Sequence, residues 1–103
     1  MTTALSGVRV LELGQLIAGP FAGCMLASFG AEVIKVEPPG DGDPMRSWRM
    51  LHEGTSLWWA SIARNKQSIT LDLREVEGRN LLRRLAARCD ILIENFRPGR
   101  MEE

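Results

Sequence analysis

The sequence predicts an α/β fold of three layers, in which helices cover both faces of a parallel sheet. Residues 7–37 have the pattern of strand, helix and strand, and residues 67–93 repeat that order after a loop and a short helix. Parallel strands need a long crossover, which is usually a helix, so each unit is typical of a parallel sheet with a right-handed connection.

The first unit begins with an apolar run from Val8 to Leu13, interrupted by Glu12, which predicts a strand covered on at least one face. Gly14, Gly19 and Pro20 then mark a turn. Pro20 suits the first turn of a helix, because the N–H that it lacks would have no intrahelical partner there.

A helix is expected from Phe21 to the stop at Gly30. Its apolar side chains recur every three or four residues and define one face: Phe21, Met25, Leu26 and Phe29. The β-branched residues of 33–36 predict a second strand, which ends at Glu37 before a Pro-Pro-Gly breaker.

Residues 38–50 read as a long surface loop that is a candidate wall of a ligand site, with a plain connector as the alternative. Residues 56–64 predict a short helix in which Trp58 and Trp59 pack against the sheet or a partner, whereas stacking on an adenine ring is less favoured.

Residues 67–73 alternate apolar and polar side chains, which predicts a strand with one wet face. Residues 74–88 predict a covering helix, and residues 91–93 a short apolar strand. The helix has an apolar stripe of Leu81, Leu82, Leu85 and Ala86.

Composition argues against several classes of function. The 103 residues include 13 basic and 13 acidic ones, and no basic stripe favours nucleic acid or an anionic membrane as a partner. Without a membrane-spanning run or a signal peptide, we expect a soluble cytoplasmic protein. Cys24 and Cys89 lack nearby His or Cys partners, so we expect buried thiols and no metal site. Residues 97–103 resemble the start of another helix, which suggests a fragment.

Two polar segments follow predicted strands, at residues 14–19 and 95–97. Since the carboxyl ends of parallel strands share one edge of the sheet, we expect both segments to meet one ligand, although Gln15 and Asn95 are 80 residues apart. Backbone amides near Gly19 would favour an anion such as phosphate. Three arginines could bind it, although each taken singly is more typical of a solvated surface: Arg46, Arg74 and Arg97.

Two other chemistries fit less well. Gly14, Gly19 and Gly23, with Glu37 at the end of the second strand, differ in spacing from the G-x-G-x-x-G dinucleotide fingerprint. Nucleophilic catalysis lacks support because His52 is alone and no G-x-S-x-G turn is present. No complete active site is visible in this chain.

Three segments together closely resemble the N-terminal region of the family III coenzyme A transferases, also called CaiB/BaiF proteins. They are LSGVRVLELGQLIAGPFAGCMLASFGAEVIKVEPPGDGDPMR at 5–46, NKQSITLDL at 65–73 and ENFRPG at 94–99. The family includes formyl-CoA, carnitinyl-CoA and related acyl-CoA transferases and racemases. The motifs occur in the family's order and at its distances.

The resemblance implies a Rossmann-like sheet, with residues 1–103 as the N-terminal part of a CoA-binding large domain. It implies CoA transfer from an acyl-CoA to a carboxylic acid through an aspartate downstream of residue 103, so the fragment alone should be inactive. Coenzyme A would be a substrate and not a permanent cofactor, and the full-length protein an interlocked homodimer. An acyl-CoA racemase, or a non-catalytic fragment that binds CoA or a nucleotide, is the alternative.

The resemblance also implies site residues. Gln15 would lie beside the reacting groups. The coenzyme A contacts would be Ile17, Ala18, Leu71, Asp72, Leu73, Arg74, Asn95, Phe96 and Arg97. The chain departs from the family at three positions. Ile17 stands where the family can have a glutamine, and Pro38 and Glu103 stand where it has arginines.

Overall fold

Four parallel strands form the main sheet of the computed structural model, which describes residues 3–101. The elements are β1 (Arg9–Glu12), α1 (Ala18–Ser28), β2 (Glu32–Glu37), a 3₁₀ turn (Pro44–Ser47), β3 (Leu51–His52), β4 (Thr55–Ser56), α2 (Leu57–Ile62), β5 (Lys66–Thr70), α3 (Val76–Ala86) and β6 (Ile91–Ile93). The sheet order is β5, β2, β1, β6, and every pairing within it is parallel. The predicted parallel sheet is confirmed.

The central strand β1 contributes to two separate cores, because successive side chains of a strand point to opposite faces. Val10 packs with Val33 and with Ala27 of α1. Leu11 packs with Val36 and with the leucines of α3 on the other face. The helices α1 and α3 therefore cover opposite faces of the sheet, which confirms the three-layer arrangement.

The helix α1 buries a different face from the one that its apolar pattern marks. Small residues face the sheet: Gly19, Pro20, Gly23, Cys24 and Ala27 are buried. Of the predicted apolar face, Phe21, Met25 and Phe29 are 52%, 46% and 54% exposed, and Leu26 alone is half-buried against the core around Val10. The helix also begins at Ala18, before the predicted start. Side-chain size determines which face of α1 is buried. Small side chains let the helix approach a sheet face that carries the long side chains of buried charged residues.

Residues 38–50 are predicted as a surface loop, and the structure buries part of them. Asp43 and Met45 are each 1% exposed, and a 3₁₀ turn begins directly after Asp43. A two-strand hairpin, β3 and β4, follows and was not predicted. Its turn has positive φ at Glu53 and Gly54, as tight hairpin turns require.

The remaining elements match the prediction in type and differ in burial. Helix α2 is confirmed, and Trp59 packs on the core formed by Cys24, Met45 and Ile62. Strand β5 ends at Thr70 and its last four residues are exposed, so the expected single wet face is wrong. In α3 the stripe is buried in part, because Leu81 remains 47% exposed.

Cys24 is buried and Cys89 half-buried, and both are free thiols. Among residues 3–101, no three His, Cys, Asp or Glu side chains are grouped so that they could hold a metal ion. Within the same range, no helix combines the length and apolar character that crossing a bilayer requires.

Candidate functional site

The polar segments that follow the first and last strands are in direct contact. Asn95 Oδ1 accepts a hydrogen bond from Gln15 N at 2.9 Å, and Asn95 Nδ2 donates to Gln15 O at 3.0 Å. The side-chain amide thus satisfies both main-chain groups of one residue. The predicted placement of both segments at the carboxyl edge of the sheet is confirmed, and their convergence on one ligand stays a prediction.

Glycine at position 14 permits this contact. A Cβ atom on Gly14 would lie 2.4 Å from Asn95 Oδ1, and a Cβ atom on Gly19 would lie 2.9 Å from the Cα of Gly14. The turn between β1 and α1 therefore closes tightly on itself and on Asn95. Its glycines are required by close approach of the chain.

A cavity of about 720 Å³ opens at this edge. Its lining comes from the segments that follow β1, β2, β5 and β6, and from α3. Carboxyl ends of parallel strands are where open α/β sheets bind ligands. The cavity is therefore the candidate site.

The deep part of the cavity is apolar and its exposed part is basic. Leu13 and Val36 are buried in the core beneath α3, and Leu71 and Phe96 pack on them. The basic lining residues are Arg74, Arg79, Arg83 and Arg100. Such a cavity suits a ligand that combines apolar groups with phosphate or another anion.

The carboxylates at the cavity do not cancel its positive charge. Arg74 Nε lies 3.0 Å from Asp72 Oδ1, and this hydrogen bond lowers the pKa of Asp72. Glu37 is paired with Arg46. Arg83 and Arg100 lie at the cavity without a recorded ion pair among residues 3–101.

The helix α3 shapes the segment of residues 71–74. Gly78 is buried in α3, and a Cβ atom there would lie 2.0 Å from Asp72 O. Arg79 Nη1 donates to Leu73 O and to Arg74 O, both at 3.1 Å. A glycine that admits the backbone and an arginine that binds it thus hold this wall of the cavity.

The turn between β1 and α1 rests on buried ion pairs. Lys35 Nζ lies 2.7 Å from Glu12 Oε2 and 2.7 Å from Asp43 Oδ2, and it donates to Gly14 O at 3.1 Å. The three side chains are at most 1% exposed. The ammonium group thus has two hydrogen-bond acceptors, Glu12 Oε2 and Gly14 O, and a second carboxylate beside it, which offsets the cost of its burial.

A second lysine completes this network. Lys66 Nζ lies 2.7 Å from Glu12 Oε1 and donates to Pro20 O at 2.7 Å. Burial lowers the pKa of Lys66, and the contact with Glu12 opposes that shift. Side chains from β2, β5 and the segments after β2 and β6 therefore bind the backbone of residues 14–20.

Glu37 ends β2 and organises the next segment. Arg46 donates to both of its oxygens at 2.7 Å, Asp43 N donates at 2.9 Å, and Ser68 Oγ also donates. Burial would raise the pKa of Glu37, but these hydrogen bonds outweigh it and lower the pKa to about 2. Arg46 also lies over the Trp59 ring at 3.9 Å. Glu37 thus engages two nitrogens of the Arg46 guanidinium, and Arg46 does not line the cavity, so the phosphate role considered for Arg46 gains no support.

The structure brings many of the expected site residues together. Those that line the cavity are Gln15, Leu71, Asp72, Leu73, Arg74 and Phe96. Four expected contacts are outside the lining: Ile17, Ala18, Asn95 and Arg97. Ile17 caps α1 and Ala18 begins it, whereas Asn95 is engaged with Gln15 and Arg97 is exposed. The expectation for Glu103 lies outside the described residues.

Sequence reasoning missed further lining residues, namely Pro39, Arg79, Leu82, Arg83, Leu92 and Arg100. The apolar stripe of α3 contained a signal for Leu82. No local pattern marked Arg79 and Arg83, because their position depends on how α3 crosses the sheet.

A smaller hollow of about 320 Å³ lies at the opposite edge, near Arg9 and Asp90. Its carboxylates are engaged by Arg9: Arg9 Nε lies 2.8 Å from Glu32 Oε2, and Arg9 N donates to Asp90 Oδ2 at 2.9 Å. We assign it no ligand.

Comparisons with known proteins agree with this architecture. A sequence profile described as CoA-transferase family III matches residues 5–103. The chain is 62% identical over 100 residues to a succinyl-CoA–D-citramalate CoA-transferase of Chloroflexus aurantiacus, a match that covers 96% of this chain and 25% of that protein. It is 54% identical over 102 residues to a succinyl-CoA–L-malate CoA-transferase alpha subunit of Chloroflexus aurantiacus, covering 96% and 24%.

A crystal structure of a CAIB/BAIF family protein from Brucella suis superposes with a TM-score of 0.89 at 43% identity, covering 99% of this chain and 28% of that one. The chain thus spans about a quarter of the length of the curated relatives that it matches. The fold, the motifs and the profile match agree, and the chain belongs to CoA-transferase family III.

Proposed function

We propose that the whole protein to which this chain contributes is an acyl-CoA:carboxylate CoA-transferase, and that the cavity at the carboxyl edge binds coenzyme A. The observation that carries the proposal is the composition of the cavity: an apolar interior with Phe96 lies beside exposed arginines, in a chain that belongs to this family. Pantetheine and adenine suit the apolar part, and the phosphates suit the guanidinium groups.

The site residues proposed for coenzyme A are those that the resemblance implies. Gln15 and Phe96 support this assignment because they line the cavity together with residues 71–74. Ile17 and Ala18 would bind through the backbone at the start of α1, since α1 has no side-chain cap. Asn95 would act through its hold on Gln15.

The nucleophile would come from outside residues 3–101. Of the four aspartates, Asp43 is buried in an ion pair, Asp72 binds Arg74, Asp90 accepts from Arg9 N, and Asp41 is exposed and does not line the cavity. In the proposed reaction an aspartate carboxylate attacks the acyl-CoA carbonyl and CoA thiolate leaves, which gives a mixed anhydride. The thiolate then attacks the aspartyl carbonyl, which gives an enzyme thioester and frees the donor acid. The acceptor carboxylate takes the CoA by the same two steps in reverse.

We propose succinyl-CoA as the donor and a dicarboxylic acid as the acceptor, because both of the Chloroflexus relatives described above are named for such pairs. Coenzyme A would be a substrate and not a permanent cofactor, and the protein would be cytoplasmic. An interlocked homodimer is proposed for the full-length protein, with a heteromer as the alternative because one relative is named as an alpha subunit.

The test is to incubate the full-length protein with succinyl-CoA and either D-citramalate or L-malate, and to follow the new CoA thioester by liquid chromatography. Formation of the acceptor thioester, with one succinate released for each, supports the proposal. Loss of chirality of a 2-methylacyl-CoA without an acceptor would instead show a racemase. Binding of CoA without either reaction would show a non-catalytic protein.

A further inference from the structure

Leu16 adopts a backbone conformation that a leucine rarely takes. Its φ is +62°, although it has a branched side chain and follows Gln15 at the wall of the cavity. A left-handed conformation at a non-glycine residue has an energetic cost and persists only where surrounding contacts enforce it. Contacts around Leu16 must therefore enforce this conformation.

Asp43 makes the contact that holds Leu16. Its Oδ1 accepts a hydrogen bond from Leu16 N at 3.0 Å. Its Oδ2 lies 2.7 Å from Lys35 Nζ, and Asp43 is 1% exposed. The carboxylate is fixed on one side by a buried ammonium group and holds the strained turn with the other.

The same turn is held from the other side at Gln15. Asn95 binds both backbone groups of Gln15, and Lys35 binds Gly14 O. Three consecutive residues of the turn, 14 to 16, thus have backbone groups fixed by side chains from other elements. A turn that is held in this way can present the Gln15 side chain to the cavity in one orientation.

We propose that Asp43 is a positioning residue for Gln15: it holds Leu16 in its left-handed conformation and thereby fixes the Gln15 side chain at the wall of the cavity. The inference rests on the proposed function, in which the cavity binds the acyl-CoA. Asp43 itself touches neither substrate nor reacting atoms.

A purely structural role is the competing explanation, because Asp43 also caps the 3₁₀ turn by accepting from Met45 N at 2.9 Å. The two explanations differ in their dependence on Gln15. A positioning residue acts through Gln15, so its removal costs nothing further once Gln15 is gone. A structural residue lowers activity regardless of what stands at position 15.

The experiment is a double-mutant cycle in the full-length protein, with kcat and KM measured for succinyl-CoA. We expect Asp43→Ala and Gln15→Ala each to lower kcat at least tenfold, with KM changed less than threefold. The double variant should lie within threefold of Gln15→Ala. If the two effects multiply, the positioning role is wrong.

A matched control and a conservative variant complete the cycle. Ser56→Ala removes another buried cap, which accepts from Trp58 N and Trp59 N, and it should reduce thermal stability without lowering kcat. Asp43→Asn keeps an acceptor for Leu16 N. The decrease in the logarithm of its kcat should therefore be at most half of the decrease seen in Asp43→Ala. If Asp43→Ala does not fold, Asp43→Asn is combined with Gln15→Ala in the same test.

Hydrogen–deuterium exchange separates this inference from the proposed function. In a peptide that spans residues 13–17, Asp43→Ala should increase exchange at least tenfold and Asp43→Asn much less. Unchanged exchange in Asp43→Ala would overturn the inference even if the unaltered protein transfers CoA. If the unaltered protein transfers no CoA but Asp43→Ala still increases exchange as expected, only the proposed function is overturned. Asp43 then remains the residue that holds the turn.

Discussion

Asn95 pairs with the backbone of Gln15 through both ends of its side-chain amide, although 80 positions separate the two residues. The contact joins the segment after β6 to the turn after β1, and these two strands are neighbours in the sheet. It makes one side chain responsible for the shape of a turn at the other end of the chain.

Replacement of Asn95 should destabilise the full-length protein. Asn95→Ala removes two hydrogen bonds and should cost about 2 kcal/mol in the free energy of unfolding. Asn95→Asp should cost at least as much, because a carboxylate oxygen would face Gln15 O. Denaturant unfolding measures both variants. Asn80→Ala, which removes an acceptor used only by exposed Arg83, is the control and should change the value by less than about 0.5 kcal/mol. Equal stability of all three variants would contradict the prediction.

Gly78→Ala should be destabilising, although alanine normally favours a helix over glycine by about 1 kcal/mol. The new Cβ would lie 2.0 Å from Asp72 O, so residues 71–74 must shift. We expect a loss of about 1–3 kcal/mol in unfolding free energy and weaker CoA binding by calorimetry. Glu77→Ala, at the neighbouring exposed position, removes an acidic residue from the first turn of α3, so it should cost less than about 1 kcal/mol and leave CoA binding unchanged. A stabilised Gly78→Ala variant would show that the wall of the cavity is loosely packed.

Glu37 should make stability depend on acidic pH. Its pKa falls from an ordinary 4.5 to about 2 in the folded protein, so it binds fewer protons there than in the unfolded chain. Its stabilising contribution is therefore complete above pH 4.5 and is lost as pH falls toward 2, by at most about 3 kcal/mol.

The measurement for Glu37 is the unfolding free energy of the unaltered protein and of Glu37→Gln between pH 7 and pH 2. The variant should be less stable at pH 7, since Arg46 loses its partner, and the gap should narrow below pH 4.5. Parallel curves across this window would show that another carboxylate dominates.

Phe96→Ala should weaken CoA binding more than Arg100→Ala. Phe96 is half-buried, packs on the core beneath α3 and lines the cavity. Loss of an aromatic packed on a ligand costs on the order of 1–3 kcal/mol. Arg100 is exposed, and a solvated ion pair contributes about 1 kcal/mol or less. Calorimetric titration of both full-length variants with CoA measures the loss of affinity. A larger loss for Arg100→Ala would show that the arginines contribute more to CoA binding than Phe96 does.

Residues 1–103 expressed alone should self-associate and show no CoA transfer. Phe21, Met25 and Phe29 form a solvent-exposed apolar face on α1, and Ile91 and Leu92 are 37% and 43% exposed on the edge strand β6. Exposed apolar patches and unpaired strand edges favour association. Size-exclusion chromatography with light scattering and a succinyl-CoA assay test this. A monomeric peak with cooperative unfolding, or measurable turnover, would contradict it.

The sequence was sufficient for the elements of the main sheet and for their order along the chain. Apolar runs, the glycines of the first turn and the stripe of residues 81–86 gave the strands, the crossovers and the covering helices, because these depend on local period and on breakers. The placement of Gln15 and Asn95 at one edge also followed, since parallel strands end there, whereas their direct hydrogen bonds did not. Motifs at three separate places were specific enough to indicate the family.

The tertiary structure decided which faces are buried and which charges are occupied. The apolar face of α1 is exposed, because small residues fit against a sheet that carries Glu12 and Lys35 on that side. Arg46 looked free in the sequence and is bound to Glu37. Hydrophobicity and spacing along one segment do not show which residues pair with these buried charges. They depend on which distant side chain reaches each buried charge, because a buried charge is stable only beside its partner.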